Sequence, residues 1–205
     1  MQPQHERVKS WLPDRREIVR FAGLGRYGER ARHRAMDLAN AGLCAPPGRL
    51  CGGYLALPFV EGTQCTPEDA DDGLLAAIAR HVAIVQRTFR SPRTPGFDDL
   101  CHMIETNVSE SGAAAVLPRL ERFRRAIEDC PAAAIDARML THEWLRTPDG
   151  FVKVDALDHA HDHFFPGAQD AAWDLAACEA EFALAPDAMD HLLHRYDAAS
   201  GDGDG

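Results

Sequence analysis

The stretch that most restricts how this chain can fold is Thr141 to Glu181, THEWLRTPDGFVKVDALDHAHDHFFPGAQDAAWDLAACEAE, where strand signals, clustered acids and histidines, and a helix start follow closely. Two runs of β-compatible residues, Met139 to Thr147 and Phe151 to Leu157, flank Pro148-Asp149-Gly150, which has the residue types of a tight turn. The spacing predicts a β-hairpin. Its second strand leads to Asp155, and soon after come Asp158, His159, His161, Asp162 and His163, then Asp170 and Asp174 in QDAAWDLA. Carboxylates and imidazoles at a strand end suit a divalent cation, a proton acceptor, or both.

Ahead of this stretch the character of the chain changes once. Residues 1 to 14 read as a short helix or arm ending at Pro13. Glu17 to Ala22 is a candidate strand that runs into Gly23-Leu24-Gly25-Arg26-Tyr27-Gly28, and a helix is expected from Glu29 to Ala41, stopped by Gly42. Arg49 to Gly62, RLCGGYLALPFVEG, is β-like with internal glycines that suggest a hairpin or a bulge. Thr66-Pro67-Glu68-Asp69 then has the order of a helix start. An amphipathic helix is expected from Asp71 or Asp72 to about Phe89, with an apolar stripe of Leu74, Leu75, Ile78, Val82, Val85 and Phe89, spaced by three or four from Leu75 onward. Further helices are expected at about Phe97 to Ser109, Ala113 to Asp129, Asp170 to Ala183 and Asp187 to Tyr196. A β-rich part followed by a helical part is an α+β pattern. The expected division is a reduced lobe at residues 1–62, a helical lobe carrying the hairpin at 63–199, and a compositionally disordered tail at 200–205.

Strand, G-x-G-x-x-G and helix in succession is also the setting of a dinucleotide-binding fingerprint, which would need a parallel, doubly wound sheet. Against that reading, no acid stands at the end of a following strand, and residues 66 to 130 show no strand–helix alternation. The competing reading is a glycine-rich turn that lets strand and helix pack closely.

With 205 residues, 45% of them hydrophobic, the chain can bury a substantial core. A net charge of −10 and a pI near 5.4 argue against a general binder of nucleic acid or anionic membrane, since both partners would be repelled. No apolar run reaches the roughly 18 residues that span a bilayer, and MQPQHERVKSW has no signal-peptide core, so a cytoplasmic protein is expected. The six cysteines form no C-x-x-C pair and are expected to be reduced and mostly buried.

From about Glu17 to Glu181 the chain resembles the aminoglycoside phosphotransferase and choline kinase group of protein-kinase-like enzymes. EIVRFAGLG resembles the strand that carries the nucleotide-clamping lysine, with Arg20 in its place, and YLALPFVEG resembles the last strand of the first lobe and the hinge. QDAAWDLA is similar to the group's D-P-x-x-D-L-A motif, in which the second aspartate, Asp174 here, braces the catalytic loop. Asp155 fits the group's magnesium-binding aspartate. With the hairpin strands matched, the asparagine of H-x-D-x-x-x-x-N falls on Thr141 or His142, and Asp136 lies five residues before Thr141, as the motif demands. Ala134 then replaces the motif's histidine.

The resemblance implies ATP and Mg²⁺ as cofactors and phosphoryl transfer to a hydroxyl of a small molecule. Asp136 is the expected proton acceptor, and Phe59, Val60 and Glu61 are the expected hinge for the base. Asp155 with His142 or Asp158 is the expected cation site. Arg20 keeps the positive charge but not the geometry of an ammonium, and no glycine-rich hairpin precedes it. Either the chain is truncated at its start, or the ligand is gripped in another way, with Gly23 to Gly28 as a candidate. The alternative reading is a kinase-like binding or regulatory module without turnover. The histidines of HAHDH are read either as surface groups or as a metal site.

Overall fold

A computed structural model describes residues 9–93, 96–111, 120–157 and 166–201. The chain divides into two compact units, Met1–Ala77 with Leu140–Leu157 and Ile78–Met139 with Asp158–Gly205.

The first unit is built on a four-stranded antiparallel sheet of order β1-β2-β4-β3, formed by β1 (Lys9–Leu12), β2 (Glu17–Phe21), β3 (Leu50–Cys51) and β4 (Tyr54–Pro58). β1 is a departure from the helix or arm expected before Pro13. Its four residues are too few for periodicity to reveal, and they become a strand because they pair with β2 along its whole length. The turn between them, Pro13–Arg15, closes with Arg16 in the left-handed region at φ 52°. Of the hairpin or bulge expected in RLCGGYLALPFVEG, a hairpin forms between β3 and β4, with Gly52 and Gly53 at φ 58° and 83°. Positive φ at both central residues is what a two-residue turn matching the strand twist requires.

Helix α1 (Arg26–Asn40) follows β2 through the glycine turn and packs on β3 and β4 with Ala31, Ala35 and Leu38 buried. Gly23 and Gly25 take positive φ, and a side chain at Gly28 would run into the carbonyl of Gly23. The glycines thus serve close approach of strand and helix. Because the strand pairings in both sheets are antiparallel, the doubly wound dinucleotide-binding reading is corrected.

A second antiparallel sheet in the same unit has the order β5-β6-β7, from β5 (Thr63–Gln64), β6 (Trp144–Thr147) and β7 (Gly150–Lys153). The hairpin is shorter than the two expected runs. Thr141–Glu143 forms a single 3₁₀ turn before β6, and β7 stops at Lys153 because Asp155 turns to φ 67°. Thr147 Oγ1 donates to the Gly150 carbonyl and accepts from the Asp149 amide, which closes the turn. Inside the hairpin Lys153 Nζ lies 2.9 Å from Glu143 Oε2, with both side chains almost wholly buried. Thr66 and Asp69 form a reciprocal capping box, and Asp71 accepts from the Leu74 amide where helix α2 (Asp72–Thr88) begins.

In α2 the expected stripe is buried at Leu74, Leu75, Ile78, Val82 and Val85, while Phe89 follows the helix end and is half-buried. The second unit also contains α3 (Phe97–Ser111), α4 (Arg124–Asp129), α5 (Ala172–Glu181) and α6 (Pro186–Ser200). Its core is centred on Ile135, Met139, Leu175, Cys178, Phe182 and Leu192. Each such large side chain removed from water is worth about 1.5–3 kcal/mol. The helix expected from Ala113 lies partly outside the described residues, and its end appears as α4. Among the described residues the cysteines are free; Cys65 and Cys178 are buried, Cys51 is exposed, and burial pushes the Cys44 thiol up to about 11. Among the described residues no helix is long and apolar enough to cross a membrane.

Lys153→Ala removes the ammonium that pairs with the buried Glu143 carboxylate, and a loss of about 3 kcal/mol in denaturant-measured stability is expected. The double variant Lys153→Met, Glu143→Leu is expected to recover most of that loss, because an apolar pair needs no charge compensation.

Candidate functional site

In the first unit the polar cluster starts from strand register. Lys9 stands opposite Arg20 across the β1–β2 ladder, and both reach the same carboxylate. Lys9 Nζ lies 2.6 Å from Asp155 Oδ2, and Arg20 donates to Asp155 Oδ1. Arg20 is 2% exposed. A guanidinium this deep is held there by charge compensation, and the left-handed backbone at Asp155 aims the carboxylate toward it. Arg34 of α1, also buried, donates Nε to the Ala156 carbonyl at 2.9 Å and so anchors the residue after Asp155.

The expected hinge residues sit at the end of β4. The Phe59 amide donates to the Arg16 carbonyl, and Glu61 pairs with Arg16 at 2.5 Å in the open. Phe59 is 41% exposed, and its ring centroid is 4.7 Å from that of Trp11; Val60 is half-buried. His142 is exposed within the 3₁₀ turn, whereas its neighbour Glu143 points inward to Lys153 and accepts the Val154 amide on its carbonyl at 2.8 Å. Asp158 and the HAHDH segment lie outside the described residues.

The second unit holds the other cluster. Asp136 is fully buried, with Oδ2 3.0 Å from His81 Nε2 of α2. Asp174, wholly buried in the first turn of α5, accepts the Asp136 amide at 2.9 Å and the Ala137 amide at 2.8 Å. Ala137 adopts φ 65°, a conformation that an L-residue keeps only when its surroundings over-determine it. The segment just before is tied by bridges of Ala133 to Arg90 and Gln169. Asp174 therefore braces the loop carrying Asp136, through backbone amides.

The structure brings Arg20 and Asp155 together, adds Lys9 to them, and sets Asp136 on His81. Sequence reading missed Lys9, His81, Glu143 and Lys153. Lys153 had a signal: in FVKV it breaks an apolar run at a strand position. Among the described residues no group of three or more metal-ligating side chains converges. Asp155 fits a hard divalent cation as one protein oxygen ligand, since Mg²⁺ is commonly held by one or two carboxylates with phosphate and water completing its shell.

No protein-family model matches the sequence, and no curated protein matches it. Solved structures do match. The choline kinase LicA in complex with AMP superposes with a TM-score of 0.61 and 15% identity, over 96% of this chain and 75% of that one. A glucosamine kinase in complex with glucosamine, ADP and inorganic phosphate gives 0.64 and 16%, over 92% and 65%. The macrolide 2'-phosphotransferase MphH from Brachybacterium faecium gives 0.53 and 14%, over 89% and 69%. Identities this low establish the fold alone, which is α+β and protein-kinase-like.

Replacing Asp174 tests the brace. Asp174→Ala leaves two amides without an acceptor and is expected to cost about 3 kcal/mol, while Asp174→Asn, which keeps one acceptor oxygen, is expected to cost about half that in thermal or denaturant unfolding.

Proposed function

We propose that the chain is a cytoplasmic small-molecule phosphotransferase of the kinase-like type, transferring the terminal phosphoryl group of ATP to a hydroxyl. The observation that carries this reading is the Arg20–Asp155 pair: the cation expected to hold phosphates and the carboxylate expected to meet the metal lie in contact within one unit. The kinase-like fold supports it, as do the choline, glucosamine and macrolide acceptors named for similar structures.

Phosphoryl transfer asks a protein mainly for position and charge. Arg20 would neutralise phosphate oxygens, and its burial would keep that charge strong. Asp155 is held in a conformation that presents carboxylate oxygens at the strand end. Bound Mg²⁺ would offset charge on the phosphates, with Asp155, and His142 or Asp158, as the candidate ligands. Phe59, Val60 and Glu61 offer hinge backbone and an exposed ring for the base. Asp136 is the proposed proton acceptor, oriented by His81 and held in place by Asp174.

A second reading, ligand binding without turnover, is favoured by a specific observation. The Asp136 carboxylate is sealed from solvent against His81.

One series separates the readings. Thermal shifts are measured with ATP, ADP and GTP, with and without Mg²⁺ or Mn²⁺, and transfer from labelled ATP is assayed on choline, glucosamine and a macrolide. Phosphoryl transfer that disappears in Asp136→Asn supports the enzyme. Metal-dependent stabilisation without transfer to any acceptor supports the binding module. Absence of a shift with every nucleotide overturns both. In Asp155→Ala the metal dependence of the shift is expected to vanish.

A further inference from the structure

The first sheet gathers two cations and two exposed rings on one face. Directly opposed residues of an antiparallel pair project to the same side, as do residues two apart on a strand. The register therefore sets Lys9, Trp11, Ile18 and Arg20 on one face, which continues across β4 through Leu55 and Leu57. Phe21 and Tyr54, in edge-to-face contact and both exposed, mark the opposite face.

At one end of the Arg20 face, Lys9 and Arg20 grip the two oxygens of one carboxylate, Asp155. Two cations from neighbouring strands thus form a seat that already holds an oxyanion. One step along β1 on the same face, Trp11 is 46% exposed and tilts against Phe59, itself 41% exposed. Two large rings left open beside the expected hinge are a surface for a flat ligand. Strand geometry separates the Lys9 and Trp11 backbones by about 7 Å. That is the scale on which a nucleotide separates its base from its phosphates.

We propose that Lys9 and Trp11 are nucleotide-binding residues: Lys9 joins Arg20 in holding phosphate oxygens, and Trp11 joins Phe59 as the stacking surface for the base. The proposal rests on the nucleotide-binding part of the phosphotransferase reading. It assigns to β1 a side-chain grip on the phosphates and the base. Phosphate oxygens that take over Lys9 release one oxygen of Asp155, so the same exchange that seats the nucleotide frees a carboxylate oxygen at the strand end.

The test is calorimetric titration of the full chain with ATP, ADP and adenosine, together with Lys9→Ala, Lys9→Arg and Trp11→Ala, each checked for wild-type circular dichroism and melting. Lys9→Ala is expected to weaken ATP and ADP about tenfold while leaving adenosine unchanged, and Lys9→Arg is expected to restore most of the loss. Trp11→Ala is expected to weaken all three ligands about tenfold, since stacking acts on the base they share. Lys9 and Trp11 lie on an exposed edge strand, so the variants are expected to fold. If a truncated side chain melts the strand, Lys9→Gln and Trp11→Leu carry the same comparison. A wild-type chain that binds nucleotides, with variants of unchanged affinity, overturns this proposal and leaves the phosphotransferase reading standing. A wild-type chain that binds none of the three ligands overturns both.

Discussion

The buried ion pair between Arg20 and Asp155 is the constraint around which the strand unit is arranged. A guanidinium at 2% exposure would cost several kcal/mol if its partner were absent. β2 presents Arg20 on the inner face by its register with β4, and β7 ends so that Asp155 can leave extended geometry for φ 67°. Arg34 then fixes the next residue by its carbonyl. The first sheet and the segment after the hairpin are joined by charge.

The second unit solves a related problem with a carboxylate and amides. Asp174 holds the backbone of Asp136 and Ala137, and the Asp136 side chain turns to His81. Brace and braced group are 38 residues apart, and His81 is 55 residues from Asp136. Contacts this distant in sequence form only after α2 and α5 have packed. The loop is thus tied in place by side chains of α2 and α5.

Local chemistry made much of the fold legible. Pro148-Asp149-Gly150 marked one hairpin, the glycines of RLCGGYLALPFVEG left a hairpin or a bulge open, and the spacing of Leu75, Ile78, Val82 and Val85 marked the inner side of α2. The glycine turn before α1 was readable in two ways, and only the antiparallel pairing of the sheet removed the dinucleotide-binding one. β1 was not legible, because Lys9–Leu12 has no strand pattern of its own and is ordered by its ladder with β2. In the candidate site, Asp155 and Asp174 stood out because motif and position agree. His81 did not, since a histidine inside an amphipathic stripe has no local sign of the acid it will face.

By itself, the sequence determined the places where the chain must turn, the helical faces that must be buried, and the α+β order of elements, because these depend on backbone preference and on periodicity. Tertiary structure alone decided which charges meet. Lys9 and Arg20 on Asp155, Lys153 on Glu143 and His81 on Asp136 are pairings between distant segments, and a charge in low dielectric is compatible only with a partner that packing delivers to it.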